Sequence, residues 1–448
     1  MANALIVLAA GRGTRMQSDM PKVLHEIAGA PLLIHALESA RGLEAAHTVV
    51  VTGHGAEAVE AAALAHDETI VCVRQEEQRG TGHAVQQAAE ALADHDGPAF
   101  VLYGDTPFVT AETLAKMAEA LEGASVAVLG FEAEDPGKYG RLVTEGDRLL
   151  KIVEWKDASE EERAITLCNS GVLAADSGLL FDLLAEVTDD NAAGEFYLTD
   201  VPGLANQRGL VTRVVRCDEA ETLGVNSRAD LARARAFFQT RARTQAMETG
   251  AQLEAPETVY FAHDTVLGRD CTVEPNVVFG PGVTVETGAR IRAFSHLEGC
   301  HVSRGAIVGP YARLRPGAEL SEDVRVGNFV EIKAAEIGEG AKVNHLSYVG
   351  DAAIGAGTNV GAGTITCNYD GVMKHRTEIG KGAFIGSNTM LVAPVTVGDE
   401  AMTASGSVIT RDIPEGALAL GRAEQTTKPG LARKLMARLR AIKAKKGK

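Results

Sequence analysis

The stretch VEPNVVFGPGVTVETGARIRAFSHL, residues 273–297, carries a bulky apolar side chain at every sixth position. These positions are Val273, Phe279, Val285, Ile291 and Leu297. An α-helix has about 3.6 residues per turn, so a period of six cannot keep these side chains on one helical face. A six-residue repeat instead forms one flat side of a β-solenoid, a short strand followed by a turn. The stretch therefore predicts stacked coils whose strands lie about 4.8 Å apart, with the repeated apolar side chains pointing inward.

The same period continues on both sides of one interruption. After single-residue slips, aliphatic residues recur at Val302, Val308, Leu314, Leu320, Val326 and Ile332, then at Ile337, Val343 and Val349. The interruption is TITCNYDGVMKHRTEIG, residues 364–380, in which thirteen residues separate Thr366 from Ile379. Because the period resumes at Ile385, this segment is predicted to be a polar loop inserted into a rigid rod, where binding residues often concentrate.

The first half of the chain has a different pattern, in which short β-rich runs alternate with helical runs. Strands are predicted at 4–10, 47–53, 69–75 and 98–105, and helices at 31–43, 56–65 and 82–94. This alternation is typical of βαβ units with a mostly parallel sheet. The predicted fold class is therefore α/β plus all-β. Its parts are a Rossmann-like domain at 1–225, a linker helix at 226–250, a solenoid at 251–427 and a basic tail at 428–448.

The composition narrows the classes of function. The 448 residues carry a net charge of −16, which argues against a general nucleic-acid binder, since a phosphate backbone requires a basic face. The six cysteines contain no C-x-x-C pair, so they are predicted to be buried residues or free thiols of a reducing cytosol. The N-terminal segment lacks a basic region and a cleavage site, and its apolar run is too short to span a bilayer. These features predict a cytoplasmic protein without a membrane span.

The basic tail has a distinct charge pattern. Residues 428–448 hold nine Lys or Arg and no acid, and four aliphatic residues fall on one helical stripe: Leu431, Leu435, Leu439 and Ile442. The pattern fits a solvated, partly helical tail. It also fits a contact for the phosphates of a cofactor or for an anionic surface partner.

The segment LAAGRGTRMQSDMPKVLH, residues 8–25, follows the first predicted strand. Gly11 and Gly13 allow backbone N–H groups to approach phosphate oxygens. Arg15 and Lys22 can neutralise those oxygens. A G-x-G pair alone also fits a tight strand-to-helix turn, and the segment lacks both the dinucleotide fingerprint and the GK[ST] of a P-loop. The full string G-x-G-T-R-M with a downstream Pro-Lys resembles nucleotidyltransferases that make sugar nucleotides from an NTP and a sugar 1-phosphate.

Further segments fit the same resemblance in the same order. They are QEEQRGTGHA (75–84), LYGDTP (102–107), KYGRLV (138–143), IVEWKD (152–157), LCNSGV (167–172) and LGVNSR (223–228). With the hexapeptide solenoid behind them, the chain is similar to the family of bifunctional N-acetylglucosamine-1-phosphate uridyltransferases/glucosamine-1-phosphate acetyltransferases. The resemblance covers the chain from residue 4 to about residue 430. It implies a nucleotidyltransferase domain followed by a left-handed parallel β-helix.

The resemblance implies a UTP and UDP-sugar site in the first domain. Asp105, at the end of a strand, and Asn226 would hold Mg²⁺, since one carboxylate and one amide leave room for phosphate oxygens and waters. The nucleophile is a sugar phosphate oxygen that is already anionic, so positioning and electrostatics are expected to suffice without a general base. The other residues implied for this site are Leu8, Ala9, Ala10, Gly11, Arg15, Lys22, Gln75, Gly80, Thr81, Tyr103, Gly104, Gly140, Glu154 and Asn169.

The resemblance implies an acetyl-transfer site on the solenoid. A histidine can take the proton of an ammonium group near neutral pH, and this role falls to His345, although a surface histidine at a turn would look the same in sequence. Groups that bind the amino-sugar phosphate are implied at Arg315, Lys333, Tyr348 and Asn359. Contacts to acetyl-CoA are implied at Ala362, Asn368, Tyr369, Ser387, Ser405 and Arg422. In these solenoids eighteen residues make one three-sided coil, so Arg315 and Lys333 are expected to stack on adjacent coils.

Some positions depart from the family pattern or leave alternatives open. Position 12 is Arg where many relatives have Lys, which keeps the charge and adds a planar fork. Ser405 stands where a small Ala is expected, and it should still let the cofactor pass. Trp155 either stacks near the sugar or caps a surface. Glu331 is predicted to orient His345, because the two are close in the repeat register.

The implied function is a bifunctional enzyme of UDP-N-acetylglucosamine biosynthesis, which supplies a precursor for peptidoglycan and lipopolysaccharide. The expected substrates are glucosamine 1-phosphate, acetyl-CoA, N-acetylglucosamine 1-phosphate and UTP, with Mg²⁺ as the cofactor. Family members are trimers, so a homotrimer is expected, with the inserted loop reaching a neighbouring subunit's acyl site. Two alternatives are a single-activity sugar-nucleotide pyrophosphorylase whose solenoid only oligomerises, and a non-enzymatic scaffold or exchange-factor subunit.

Overall fold

A nine-stranded sheet forms the centre of the first of two compact units, into which the chain divides between Ala242 and Arg243. The computed structural model describes residues 2–446. The strands of the first unit are β1 (Ala4–Leu8), β2 (Glu26–Ile27), β3 (Ala30–Pro31), β4 (His47–Thr52), β5 (Val71–Arg74), β6 (Pro98–Tyr103), β7 (Val126–Glu132), β8 (Arg141–Glu145), β9 (Arg148–Val153), β10 (Leu167–Asp176) and β11 (Thr212–Cys217). Strands β2 and β3 pair with each other outside the large sheet. The predicted α/β organisation of this half is confirmed.

Alternate side chains of β1 belong to two separate cores, as the period of a strand requires. Ile6 packs with residues of α3, α6 and α7 on one side, and Val7 packs with residues of α1, α2 and α4 on the other. Both faces of the central strands are therefore covered, which explains why β1 is apolar throughout. The helices of the unit are α1 (Leu32–Ser39), α2 (Ala56–His66), α3 (Thr81–Gln86), α4 (Ala111–Leu121), α5 (Glu160–Arg163), α6 (Ser177–Leu184) and α7 (Val201–Gln207).

The helix predicted at 82–94 is shorter in the structure. It is regular only over Thr81–Gln86, and hydrogen-bonded turns follow as far as residue 94. In these turns several backbone N–H groups bond to the carbonyl three residues earlier, as Ala88 does to Val85. The tighter turns still bury Ala88 and Leu92, so the apolar periodicity was read correctly while the helix type was wrong.

The order of strands in the sheet is β5-β4-β1-β6-β10-β7-β11-β9-β8. Strand β1 runs parallel to β4 on one side and to β6 on the other, so the chain order reverses at β1. Strand β10 is antiparallel to both β6 and β7. In open α/β sheets, ligands bind at such a reversal, beyond the carboxyl ends of the strands. The segment after Leu8 therefore lies at the expected position for a ligand.

A long helix, α8 (Arg228–Glu248), occupies the predicted linker segment. Leu231 and Ala234 on its first half are buried in an apolar cluster with Met16, Phe108 and Val225. Only a few residues of the helix are apolar and buried, which suits a connecting element. Phe237 and Phe238 are partly buried against the same cluster, and most of the other residues of α8 are charged residues or alanine, which favour a helix by propensity.

The second unit is a three-sided parallel β-helix, as the hexapeptide period predicted. The strands of its first face are Gln252–Leu253, Thr272–Val273, Arg290–Ile291, Ile307–Val308, Arg325–Asn328, Lys342–His345, Asn359–Val360, Phe384–Ile385, Met402–Thr403 and Leu418–Ala419. The second face has Val266–Leu267, Val283–Val285, Cys300–Val302, Ala318–Leu320, Thr377–Ile379 and Val395–Val397. The third face has Val278–Phe279, His296–Leu297, Arg313–Leu314, Ile365–Cys367, Met390–Val392 and Val408–Ile409.

Two longer strands, Glu331–Ile337 and Tyr348–Ile354, run from the third face onto the second without a break. They join the two faces into one sheet at the middle of the solenoid. The repeated apolar residues of the opening stretch, Val273 to Leu297, are all buried. Their burial confirms that period six sets the inward positions.

The tail forms a helix, α9 (Leu431–Lys446), none of whose residues is buried. The four aliphatic residues of its predicted stripe are all exposed. Across residues 2–446, none of the helices is both long and apolar enough to cross a bilayer. All six cysteines are free thiols, and Cys168, Cys271 and Cys300 are buried.

Candidate active sites

A cavity of about 390 Å³ lies at the carboxyl end of β1 in the first unit. It is lined by eleven of the sixteen residues predicted for the nucleotide and sugar site. These are Leu8, Ala9, Ala10, Gly11, Lys22, Gln75, Gly80, Thr81, Tyr103, Asp105 and Asn226. The structure thus gathers side chains from four predicted sequence segments at the reversal of strand order.

Three polar side chains meet at one point of this cavity. The Lys22 ammonium forms an ion pair with Asp105 Oδ2 and donates to Asn226 Oδ1 at 3.2 Å. The backbone also ties the two oxygen-bearing residues together, because the Val225 N–H donates to the Asp105 carbonyl at 2.9 Å. Two oxygens that converge on one cation, a carboxylate and an amide, are a donor set that Mg²⁺ accepts. No cluster of three His, Cys, Asp or Glu suited to a metal occurs in residues 2–446, so this mixed pair is the candidate metal site.

Glycine is required next to this point for steric reasons. Gly13 has φ +59°, and a Cβ there would lie 2.6 Å from Lys22 Cβ. Gly80 has φ +110°, and a Cβ there would lie 2.5 Å from the Phe196 carbonyl oxygen. Both positions combine a left-handed backbone with close contact, which residues with a side chain rarely tolerate. The glycines therefore let Lys22 and the segment before α3 close around the cavity.

A second group of predicted residues adjoins the cavity through Tyr103. Gly140, Glu154 and Asn169 lie together, since a Cβ on Gly140 would be 3.5 Å from Glu154 Oε1 and 3.6 Å from Asn169 Cβ. Burial raises the pKa of Glu154 above its ordinary value. Burial and then the charge of Asp105 raise the pKa of Tyr103, which bonds to Thr81. The charges of both Asp105 and Glu154 act on Tyr103, which therefore lies between the cation site and the Glu154 group.

Two of the predicted residues lie elsewhere. Arg15 is exposed on a short 3₁₀ helix and does not line the cavity. Gly104 lies behind the lining, where its N–H donates to the Leu8 carbonyl at 3.0 Å. Sequence reasoning missed Val23, Gln78, Ala84 and Glu195, which line the cavity. Adjacency to Lys22 or to the Gly80 turn could have found the first three, whereas Glu195 carries no such signal.

Trp155 packs against two guanidinium groups. Its ring lies 4.6 Å from the Arg163 guanidinium and 5.2 Å from that of Arg141. Arg141 is only 1 % exposed and donates to the carbonyls of Pro136 and Gly137, each within 3.2 Å. Of the two roles considered for Trp155, the structure favours the structural one, because its ring covers the buried cation that holds the loop before Gly140.

On the solenoid, one residue from each of five successive coils lies in a column along the first face: Asn328, His345, Ala362, Ser387 and Ser405. A backbone hydrogen bond repeats from coil to coil: the N–H groups of Leu346, Gly363, Asn388 and Gly406 donate to the carbonyls of Asn328, His345, Ala362 and Ser387. Ser405 continues the column, because Thr403 pairs with Ile385 two residues earlier in each strand. The Arg422 guanidinium ends it by donating to the Ser405 carbonyl at 2.6 Å. His345 is thus followed by three small side chains in line, Ala362, Ser387 and Ser405.

The predicted partner of His345 is wrong. Its Nδ1 lies 2.9 Å from Asn328 Oδ1, whereas Glu331 accepts from Arg315 Nη1 at 2.8 Å. The physical reason is register: Asn328 and His345 are directly paired between neighbouring strands. Glu331 begins a strand on the third face, beyond the corner, where it pairs with Tyr348.

A charged cluster lies on the third face. Lys374, from the inserted loop, contacts Lys333, and this contact, together with burial, lowers the pKa of Lys333. Arg315 and Asp351 also act on the Lys333 ammonium, so three cations share this surface. Asn368 at the base of the loop donates to Asp351 and, at 3.4 Å, to the Tyr348 hydroxyl. Sequence reasoning missed Lys374, although a basic side chain in the inserted loop was a usable signal.

Asn359 is not brought to this cluster within one chain. It begins a first-face strand and pairs with Lys342. Arg315 and Lys333 follow the third-face register positions Leu314 and Ile332, which pair with each other. Tyr369 is exposed on the inserted loop, where its backbone pairs with that of Lys374. One chain therefore presents parts of the predicted acyl site on different sides of the solenoid.

Comparison with known proteins matches both kinds of domain. Residues 5–197 match the MobA-like NTP transferase domain, and 264–299 and 376–411 match the bacterial transferase hexapeptide (six repeats). The protein called "Bifunctional protein GlmU" of Cereibacter sphaeroides (strain ATCC 17023) is 67% identical, over 99% of this chain and 98% of its own. Those of Jannaschia sp. (strain CCS1) and Ruegeria sp. (strain TM1040) are 64% and 65% identical, over 99% and 100% of this chain and 98% and 100% of their own.

Proposed function

The chain belongs to the GlmU family of bifunctional uridylyltransferase/acetyltransferase enzymes, and we propose that the cavity beyond β1 is its uridylyl-transfer site and the His345 column its acetyl-transfer site. The observation that carries the first assignment is the convergence of Lys22, Asp105 and Asn226 on one point. The column of His345 and small side chains carries the second. The domains follow as residues 1–225 for uridylyl transfer and 251–427 for acetyl transfer.

In the first site, catalysis depends on binding and positioning of the two substrates. Asp105 and Asn226 would hold Mg²⁺, which supplies positive charge beside the phosphates. Lys22 binds a phosphate oxygen, and the backbone of Ala9 to Gly11 approaches the nucleotide. The phosphate oxygen of N-acetylglucosamine 1-phosphate forms a bond to the α-phosphorus of UTP, and the bond to pyrophosphate breaks. The attacking oxygen is already anionic, so no side chain removes a proton, and Glu154 and Asn169 hold the sugar.

In the second site, His345 acts as the general base. Its free ring nitrogen takes a proton from the ammonium of glucosamine 1-phosphate, and the amine nitrogen forms a bond to the thioester carbon of acetyl-CoA. The carbon–sulfur bond then breaks, the imidazolium gives its proton to the CoA sulfur, and the new amide nitrogen releases its remaining extra proton to solvent. Arg315, Lys333 and Lys374 bind the sugar phosphate. The small residues Ala362, Ser387 and Ser405 leave room for the CoA arm along the column.

The active assembly is a homotrimer. The placement of Asn359 on the first face, away from the Lys333 cluster, supports it, because a neighbouring solenoid would bring the missing group to each site. A stacked and exposed aromatic column, Phe294, Tyr311 and Phe329, has ring centroids 4.9 and 5.3 Å apart. It lies beside His345, because Phe329 directly follows Asn328, which pairs with His345. Exposed apolar surface of this kind is typical of an interface. The inserted loop would then reach the acyl site of a neighbour.

The product is UDP-N-acetylglucosamine, made in the cytoplasm as a precursor for peptidoglycan and lipopolysaccharide. The order of reactions follows from the substrates, since the acetylated sugar phosphate made by the solenoid is the acceptor for the uridylyl group. The negative charge of the chain and its two small-molecule sites give no support to a nucleic-acid role.

Two variants test the assignment in one experiment. CoA release is measured from acetyl-CoA and glucosamine 1-phosphate, and pyrophosphate release from UTP, Mg²⁺ and N-acetylglucosamine 1-phosphate. Asp105→Ala should lose the second activity by about 100-fold or more and keep the first, and His345→Ala should do the reverse. A His345→Ala enzyme with unchanged CoA release would remove the acetyl-site assignment. An active Asp105→Ala enzyme would remove the uridylyl-site assignment.

A further inference from the structure

We propose that Asn328 is a positioning residue for acetyl transfer, because its side-chain oxygen fixes the His345 ring in the tautomer that leaves Nε2 free to accept a proton. The proposal rests on the proposed role of His345 as the base. Asn328 itself does not touch a substrate in this assignment and acts only through the imidazole.

The geometry carries the argument. Asn328 Oδ1 lies 2.9 Å from His345 Nδ1, and an amide oxygen can only accept a hydrogen bond. The ring nitrogen that faces it must therefore carry the hydrogen. In a neutral imidazole the other nitrogen, Nε2, then has a free lone pair. That lone pair is the one a general base needs.

The backbone holds the two side chains in this relation. Asn328 and His345 are paired in adjacent coils, and the Leu346 N–H donates to the Asn328 carbonyl at 3.1 Å. Gly327 allows the coils to approach closely, since a Cβ there would lie 2.0 Å from the Asn344 carbonyl oxygen. A rigid solenoid thus sets the hydrogen bond before any substrate arrives.

An amide partner has a different effect from a carboxylate partner. A carboxylate at this position would favour the charged imidazolium and so raise the pKa of the base. A neutral amide orients the ring without adding a negative charge. Asn328 therefore sets the tautomer without placing a carboxylate beside the base.

The other charged groups around the ring would be the same in every variant tested. Lys342 on the strand of His345 and Arg325 on the strand below are in register with each other, three positions before the pair. The strand above, Asn359–Val360, has no ionisable side chain. Glu331 lies beyond the corner and is bonded to an arginine. A change in the pH profile on altering residue 328 would therefore report on that position.

The test compares three variants of the full chain by CoA release as a function of pH. Asn328→Ala should lower kcat about 10-fold with little change in KM, because the ring then spends most of its time in the other tautomer or turned away. Asn328→Asp keeps an acceptor in place, so it should restore kcat at high pH. Its acid limb should move up by about one pH unit, since the carboxylate stabilises the imidazolium. Asn344→Ala is the matched control: it removes the same amide from the strand of His345 and should leave the profile unchanged.

Pyrophosphate release from UTP and N-acetylglucosamine 1-phosphate shows that each variant is folded. If His345→Ala abolishes CoA release while both Asn328 variants keep the wild-type kcat and pH profile, the role of Asn328 is overturned and that of His345 stands. If His345→Ala retains CoA release, the proposed base itself is wrong. An Asn328→Asp enzyme that loses activity at every pH, as Asn328→Ala does, would also overturn the positioning role.

Discussion

Lys22 and Asp105 are 83 residues apart in the sequence and form an ion pair at the point where Asn226 also directs its side-chain oxygen. Both side chains are largely buried, 14% and 15% exposed. The ammonium therefore compensates the carboxylate at the proposed metal site. If the proposed assignment holds, binding of metal and nucleotide would move Lys22 from the carboxylate to a phosphate.

This relation predicts opposite effects on metal binding and on catalysis. In Lys22→Met the two oxygens lose their competing cation, so Mn²⁺, used as a probe for Mg²⁺, should bind the free protein about 10-fold more tightly. Uridylyl transfer should fall about 100-fold, because the phosphate loses its positive partner. Calorimetry with Mn²⁺ and the pyrophosphate assay measure the two effects.

Asp105→Asn is the control for that experiment, and it should weaken Mn²⁺ binding instead. Weaker Mn²⁺ binding in Lys22→Met than in the wild type would contradict the competition between lysine and metal.

The third-face cluster predicts a pH dependence. The contact with Lys374 lowers the pKa of Lys333, so Lys333 loses its charge at a lower pH than an ordinary lysine and phosphate binding weakens as pH rises. In Lys374→Ala the pKa of Lys333 should rise, so the alkaline loss of phosphate binding should move to higher pH. Affinity at neutral pH should drop about 10-fold, because one charge-assisted contact is gone.

Inhibition of acetyl transfer by glucose 1-phosphate measures this effect, because that ligand has the phosphate but no amine to titrate. Lys381→Ala, which removes an exposed lysine just beyond the inserted loop, is the matched control and should leave the inhibition profile unchanged. An unchanged alkaline limb in Lys374→Ala would show that the two lysines are not coupled.

The column of small side chains predicts a steric block. Ser387→Phe should lower kcat/KM for acetyl-CoA about 100-fold, because the ring would fill the path beyond His345. The loss should come from a higher KM for acetyl-CoA or from abolished acetyl transfer. Thr396→Phe places the same ring at an exposed position of the second face and should have little effect. Steady-state kinetics of CoA release separate the two. Equal activity of both variants would show that the column does not bind acetyl-CoA.

The exposed aromatic column predicts a link between assembly and acetyl transfer. Phe329→Glu should shift the proposed trimer toward smaller species and reduce acetyl transfer, because it would put a charge into the proposed interface at Phe329. Val266→Glu is the control, at a position equally exposed in one chain: 55% against 56%. Light scattering gives the assembly state, and the uridylyl activity should survive in both variants. A trimeric, active Phe329→Glu enzyme would place the interface elsewhere.

Much of the fold could be predicted from local pattern alone. Period six in the solenoid and strand–helix alternation before it depend on which residues must be buried, and this is a property of neighbours in sequence. The end of regular helix at Gln86 could not be predicted, because apolar spacing is the same for an α-helix and for the tighter turns that follow. The residues that meet at Lys22, Asp105 and Asn226 were predicted from the resemblance of ordered motifs to a known family. The apolar period alone does not predict them.

The sequence by itself determined the period of the coils, the alternation of strands and helices, and the residue types available for chemistry. Tertiary structure decided which of them meet. It gave His345 an amide partner, Asn328, instead of the expected Glu331, and it brought Lys374 to Lys333. The physical reason is that partners across coils depend on register slips and corners summed over many residues, whereas burial at each sixth position depends only on the local repeat.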